Sequence, residues 1–283
     1  MNISDLVSDD AAYVSRKAWT DQRVYELEKK GIFAKVWLFL GHESQIKKPG
    51  DFVQAYMCET PIILSRGEDH KIYASINSCS HRGLPVCRAD HGNTKRFLCP
   101  YHNWSYSIDG SLVAIPQEKL LTNKPDKSLL GLKAVPRVES WRGMIFGCFD
   151  ESVESLESYL GDMRFYLDAF FERFDNGIEF IGAPHRWTIN ANWKLPMENQ
   201  LGDVNHGPFL HSAVIPAEAN EEIFSVGWSA VPEPGHGATF RLMPEGTEYA
   251  QVAWGMEGMG AILGGAEIQE YLFEIQAKAA ERV

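Results

Sequence analysis

The 283-residue sequence is poor in cysteine, short of basic charge and without a long apolar run, and each shortage removes a class of protein. Its five cysteines, Cys58, Cys79, Cys87, Cys99 and Cys148, are odd in number and widely scattered, so they do not form a disulfide framework. Lysine and arginine number 27 against 38 aspartates and glutamates, and a net charge of −11 argues against nucleic acid or an anionic membrane as partner. No stretch reaches the roughly 18–20 apolar residues of a membrane span. The start, Met1 to Leu6, lacks the basic-then-apolar order of a secretory signal, so a cytoplasmic protein is expected. Internal repeats and low-complexity segments are also lacking. What remains is ordinary globular material, 45% hydrophobic and 23% charged, with length enough for two domains or for one inserted in another.

Two short pairs stand out. Cys79 and His81 form one, Cys99 and His102 the other, with seventeen residues between the pairs. Each couples a thiolate to an imidazole and is followed by a turn sequence, Arg82-Gly83 or Asn103-Trp104. Such a set can hold one tetrahedral zinc, or a two-iron cluster with thiolates on one iron and imidazoles on the other. Structural zinc loops mostly use CxxC pairs, so the CxH half is unusual for them. The other three cysteines read as buried small apolar residues. His42, His70, His91, His185 and His236 fit no ligand position and read as structural or solvent-facing.

The periodicities place these pairs in a small all-β module. Residues 20–36 read as a helix capped by Thr20 or Asp21, with Val24, Tyr25 and Leu27 as its apolar stripe. Between Gly50 and Phe149 the texture changes to short strands, at 52–57, 62–65, 72–76 and 96–98, with Trp141 to Phe149 as a closing buried strand. Asp109-Gly110 suggests a two-residue hairpin turn. Helix returns at 155–174, a strand is expected at 187–193, and Pro196 suits the first turn of a following helix. Further strands are expected at 224–228, 238–242 and 251–254, then a glycine-rich stretch at 258–265 and an amphipathic helix at 267–282.

A second constellation lies in the segment 192–211. If residues 196–206 are helical, Asn199, Asp203 and His206 fall on one face at i, i+4 and i+7. Asp203 can then orient His206 through its second ring nitrogen, as carboxylates do for metal-bound histidines. Gly207-Pro208 should end the helix. Without that break, five helical residues would turn His211 about 140° from His206; with it, both imidazoles can converge on one ion.

Taken together, Cys79-Ser80-His81-Arg82-Gly83, Cys99-Pro100-Tyr101-His102-Asn103-Trp104 and the Asn199/Asp203/His206/His211 spacing resemble the large (α) subunits of Rieske non-heme iron aromatic-ring-hydroxylating oxygenases. The resemblance runs from about residue 20 to the C-terminus. It implies a Rieske [2Fe–2S] cluster on Cys79, His81, Cys99 and His102, and a mononuclear Fe(II) on His206 and His211. It also implies an α+β fold, with an all-β Rieske domain (38–154) inserted into a catalytic domain (1–37 and 155–283) built on an antiparallel sheet covered by helices. Respiratory Rieske proteins carry two more cysteines in these loops; Leu84 and Tyr101 stand there here, which matches the oxygenase or ferredoxin branch.

The implied activity is cis-dihydroxylation of an aromatic ring by O2. Electrons come from NADH through a reductase, with or without a ferredoxin, in a homotrimer α3 or an α3β3 assembly. Asp203 would bridge the cluster of one subunit, at His102, to the iron of the next, at His206. Monooxygenation, demethylation or simple electron carriage are the alternatives. The family's third iron ligand is a downstream aspartate, and no aspartate follows Asp203 here. The expectation is therefore of a shortened version of a longer polypeptide, which binds the cluster but is impaired in oxygenation.

Overall fold

The computed structural model describes residues 3–10, 12–172, 176–182, 184–201, 203, 206, 210, 227–231 and 235–241. The chain divides into two compact units. One comprises Met1–Tyr13, Asp21–Tyr159 and Glu179–Trp187; the other comprises Val14–Thr20, Leu160–Ile178 and Thr188–Val283.

After a 3-10 turn at Ile3–Leu6, the first unit continues with helix Gln22–Glu28. Asp21 caps it by accepting from the Arg23 amide, and it runs on into a π-helical turn, Lys29–Phe33. Ten strands follow: β1 (Leu38–His42), β2 (Asp51–Met57), β3 (Thr60–Arg66), β4 (Ile72–Ile76), β5 (His91–Asn93), β6 (Arg96–Leu98), β7 (Ser105–Ser107), β8 (Leu112–Ala114), β9 (Arg137–Trp141) and β10 (Met144–Cys148). They form antiparallel sheets of order β4-β3-β2-β5, β1-β10-β9 and β6-β7-β8.

Strand β3 explains the layering. Ile62, Ile63, Leu64 and Ser65 are all buried, as in a strand covered on both faces. With a period of two, Ile63 and Phe52 turn to a core shared with Phe97, Tyr106 and Leu112. Ile62, Leu64, Val53, Ala55 and Met57 turn to a second core with Leu40 and Ile145. Cys79 and Cys99 belong to the first core, so each ligand loop is rooted in packed apolar side chains.

In the second unit, helices Met163–Phe171 and Lys194–Leu201 are followed by an antiparallel hairpin, β11 (Gly227–Ala230) with β12 (Ala238–Arg241). Leu201 lies so near Gly237 that a Cβ there would stand 3.2 Å from Leu201 Cδ1. The architecture is α+β. Among the described residues, no helix is long and apolar enough to cross a membrane.

Several elements differ from the periodicity reading. Trp141 to Phe149 is not one strand but the end of a hairpin: Arg142 (φ 50°) and Gly143 (φ 81°) are both left-handed, as a type I′ turn requires. A Cβ at Gly143 would collide with the His42 ring. The Asp109-Gly110 turn has three loop residues, since the Ser107 amide pairs with the Ser111 carbonyl at 2.8 Å and Gly110 (φ 89°) takes the left-handed position. The helix expected at 155–174 is split into Leu156–Leu160 and Met163–Phe171 by Gly161 at φ 46°. Residues 187–193 form no strand; Trp187 and Ile189 are exposed, so their alternation with polar residues reflects no buried face. Of the strands expected at 224–228 and 238–242, the described parts are β11, which runs on to Ala230, and β12; 224–226, 242, 251–254, 258–265 and 267–282 lie outside the described residues.

Candidate functional site

The two Cys/His pairs sit on loops between strands, the first after β4 and the second in the β6–β7 connection. The loops share one hydrogen-bond scheme despite their unequal Cys–His spacing. In the first, the Cys79 amide donates to the Leu84 carbonyl (2.9 Å) and the Gly83 amide to the Cys79 carbonyl (2.7 Å). In the second, the Cys99 amide donates to Trp104 (2.9 Å) and the Asn103 amide to Cys99 (2.9 Å). Four residues after each cysteine the chain turns left-handed, at Gly83 (φ 77°) and Asn103 (φ 58°), two of the residue types that tolerate it. Both residues belong to the turn sequences Arg82-Gly83 and Asn103-Trp104 that follow the pairs, and their common offset from the cysteine is what matches the two loops.

This backbone turns the four candidate ligands to one place in a definite order. Cys79 and Cys99 are each 3% exposed, whereas His81 and His102 are exposed. The two imidazoles stand 4.7 Å apart, centroid to centroid, at 69°. His81 stacks on Trp104 at 5.0 Å and 8°, and Tyr101 lies 3.8 Å from His102 with Arg82 over its own ring. Desolvation, followed by the neighbouring His81 and Arg82, holds His102 below the usual imidazole range, favouring the neutral ring that a metal binds. The donor set of two thiols inside and two imidazoles outside fits a two-iron cluster whose thiolate-bound iron is buried and whose imidazole-bound iron faces out.

Three residues that the motif reading gave no role support the site. The Tyr106 hydroxyl, fully buried, lies 3.1 Å from Cys79 Sγ and accepts the Ser80 amide at 3.1 Å. Burial and the contact with Cys79 raise its pKa, so the hydroxyl keeps its proton and can donate it to a thiolate at Cys79. Asn77 acts as a strand substitute: Oδ1 accepts from the Val86 and Cys87 amides (2.8 and 3.0 Å), and Nδ2 donates to the Cys87 carbonyl (2.8 Å). Gln54 reaches the carbonyls of Cys87 and Ala89 from the other side (3.1 and 3.0 Å). Replacing Asn77 with alanine orphans two buried amides and removes one of the two donors to the Cys87 carbonyl, at a cost of about 3 kcal/mol. The expected result is a melting midpoint lower by roughly 6–12 °C and faster cluster loss; an unchanged midpoint by calorimetry would contradict the brace.

Two of the remaining cysteines are buried as read, and Cys58 is not. Cys87 and Cys148 are buried, with thiol pKa values raised by desolvation, and Cys58 is half-buried beside the Tyr25 hydroxyl. His42 is structural: its ring is buried, stacked on Phe180 at 4.7 Å and bonded to Ser44 through Nδ1.

The second constellation is only partly described. Helix Lys194–Leu201 carries Pro196 in its first turn and half-buried Asn199, but it stops before Asp203. The Asp203 amide reaches back five residues to the Glu198 carbonyl (3.1 Å), a widened closing turn, so Asn199, Asp203 and His206 do not lie on one continuous helix as the spacing suggested. Asp203 and His206 nevertheless meet. His206 Nδ1 bonds the Asp203 carbonyl, and its carboxylate Oδ2 stands 3.9 Å away. His211 lies outside the described residues.

Comparison with known proteins agrees with this geometry. Residues 36–126 match the model of the Rieske [2Fe-2S] domain. The chain is 36% identical to the benzene 1,2-dioxygenase subunit alpha of Pseudomonas putida, over 99% of this chain and 62% of that protein. It is 41% identical to the large oxygenase component of a naphthalene 1,2-dioxygenase system of Pseudomonas aeruginosa, over 82% of this chain and 52% of that one. Among solved structures, naphthalene 1,2-dioxygenase from Rhodococcus sp. bound to indole superposes with a TM-score of 0.77 at 40% identity, covering 83% of this chain and 54% of that one. The chain thus spans about half to three-fifths of the length of the curated relatives it matches. With its Rieske [2Fe–2S] domain and this likeness in sequence and fold, it is a homologue of the large subunits of the aromatic-ring-hydroxylating dioxygenases.

Proposed function

We propose that the chain serves as a terminal-oxygenase large subunit that adds both atoms of O2 to an aromatic ring as a cis-dihydrodiol, using electrons drawn from NADH. The observation that supports this best is the convergence of exposed His81 and His102 over buried Cys79 and Cys99. A [2Fe–2S] cluster at these four residues would supply one-electron storage, and an Fe(II) at His206, His211 and a carboxylate would supply oxygen activation. After Asp203, glutamates are the only side-chain carboxylates that this sequence offers.

The chain's own residues set up that chemistry. Cys79 and Cys99 present thiolates inside an apolar core, with the Tyr106 hydroxyl aimed at one of them. His81 and His102 bring imidazole edges to the surface, where a ferredoxin or a reductase can reach them. Asp203 engages Nδ1 of His206, which fixes the tautomer that offers Nε2 to a metal. In this reading residues 38–154 are inserted between 1–37 and 155–283, the protein is cytoplasmic, and its assembly is an α3 or α3β3 trimer with His102 of one subunit opposite Asp203 of the next.

The test has two stages. Reconstitution with iron and sulfide should give a red-brown protein whose reduced electron paramagnetic spectrum shows mixed thiolate–imidazole ligation. Supplied with NADH, reductase, ferredoxin and O2, it should then convert benzene or naphthalene to a cis-dihydrodiol, but slowly and with less than one mononuclear iron per chain, since no aspartate after Asp203 completes the ligand set. A monohydroxylated product would favour the second reading, monooxygenation. That alternative is represented by the quaternary ammonium Rieske monooxygenase CntA, which shares 25–28% identity, against 36–41% for the dioxygenases named above.

A further inference from the structure

We infer that Arg186, far beyond residue 126 where the Rieske match ends, is a positioning residue that clamps the exit of the first ligand loop. Through it, the segment Glu179–Trp187 and the cluster hold each other in place. The inference presupposes that Cys79, His81, Cys99 and His102 hold the cluster.

The clamp follows from a gap in the sheet. Strand β5 pairs with β2 only along Asp51–Val53. One residue on, the Gln54 amide still donates to the Asp90 carbonyl (2.7 Å). In a strand, the N–H and C=O of one residue point to the same edge, so the Gln54 carbonyl faces the edge where β5 has peeled away. Arg186 fills that position: Nη2 donates to the Gln54 carbonyl, Nη1 donates to Asp90 Oδ1 at 3.1 Å, and the guanidinium lies 5.9 Å over the Tyr56 ring. The Asp90 carboxylate is mostly exposed, so that ion pair alone contributes little. The strand carbonyl and the aromatic face give the contact its specificity, and both suit a planar fork better than an ammonium.

What Arg186 holds is the stretch 87–90, the end of the loop that begins at Cys79. The side chain of Gln54 binds the carbonyls of Cys87 and Ala89, and Asn77 binds Cys87 from beneath. At its other end the segment is tied separately: the Phe180 amide donates to Ser44 Oγ (2.8 Å), and Gln45 Nε2 donates to the Gly182 carbonyl (3.3 Å). If the loop exit is ordered by the cluster and bonded to Arg186, linkage requires the segment to be more ordered when the cluster is present. By the same linkage, the cluster must be released more slowly when the segment is clamped.

The experiment measures both directions. Hydrogen–deuterium exchange over residues 179–187 is followed in cluster-loaded and cluster-free protein, and cluster release to a chelator is followed by visible absorbance. Wild type should exchange at least about fivefold more slowly when loaded. Arg186→Gln should lose that difference and release the cluster about fivefold faster, with the spectrum of the loaded form unchanged. Arg186→Lys should fall between the two. Lys47→Gln, which removes the exposed Lys47–Glu179 pair of the same segment, should behave as wild type.

Wild-type exchange indifferent to loading, or Arg186→Gln and Arg186→Lys both releasing at the wild-type rate, would overturn the clamp. A loaded protein without coupling sinks this inference alone. A protein that takes up no cluster sinks the functional reading and the clamp together.

Discussion

Replacing Cys99 with serine should yield a colourless protein whose iron and acid-labile sulfide fall at least about tenfold, while its core sheets stay folded. Serine is a far weaker ligand than a thiolate at neutral pH, and among the described residues the side chain has no hydrogen-bond partner: Cys99 is 3% exposed among Phe97, Tyr106 and Leu112. The uncompensated hydroxyl adds a penalty of about 1–3 kcal/mol to the first core. The second core, built on Ile62, Leu64, Met57 and Ile145, does not include the ligand loops, so far-ultraviolet dichroism should retain its β signature. Cys58→Ser makes the matched control. That residue is half-buried beside Tyr25, away from the ligand loops in sequence, and its variant should keep full cluster content by iron analysis. A Cys99→Ser protein with wild-type iron and sulfide would remove Cys99 from the ligand set.

The two candidate ligand loops are legible because their chemistry is carried by residue types that have few other reasons to recur in that order. Cys-x-His followed by Cys-x-x-His specifies donors by identity, and the short alternating runs on either side specify strands by period. The supports were not legible, since each is a common residue doing a backbone's work. Asn77 gives no sign in sequence that its amide will substitute for a strand partner of Val86 and Cys87. Tyr106 reads as a core aromatic, which it is; only the 3.1 Å contact of its hydroxyl with Cys79 Sγ adds the second role.

The misread elements have a shared cause. Gly161 and the Arg142-Gly143 pair interrupt continuous apolar patterns with left-handed residues, and a pattern of side chains carries no direct record of φ. Residues 187–193 err the other way. They alternate like a strand, yet Trp187 is 75% exposed and Ile189 58%, so the period has no buried face to serve. In the second constellation, the i, i+4, i+7 spacing correctly paired Asp203 with His206, but for a different local reason: the contact spans three residues and needs no helix continuous from Asn199.

Converting both imidazoles to thiolates should shift the cluster most of all. In the His81→Cys/His102→Cys variant, two neutral ligands become anions, and the extra negative charge penalises the reduced state more than the oxidised one. Rieske centres span about −150 to +300 mV, whereas all-thiolate plant-type clusters lie near −400 mV, so a drop of at least about 250 mV is expected. The site should accept the change, because both side chains are exposed and the backbone loops are fixed by the Cys79–Gly83 and Cys99–Asn103 hydrogen bonds rather than by the imidazoles. The remaining protein contacts are common to both forms: Tyr106 still donates to Cys79 Sγ, and Asn77 still braces the loop exit. The difference in potential therefore reports the two substituted ligands. A redox titration followed by electron paramagnetic resonance reads both the potential and the average g value, and both should move to the all-thiolate range. A variant that keeps its cluster within about 50 mV of the wild-type potential, against the several hundred that ligand replacement produces, would show that His81 and His102 do not bind iron.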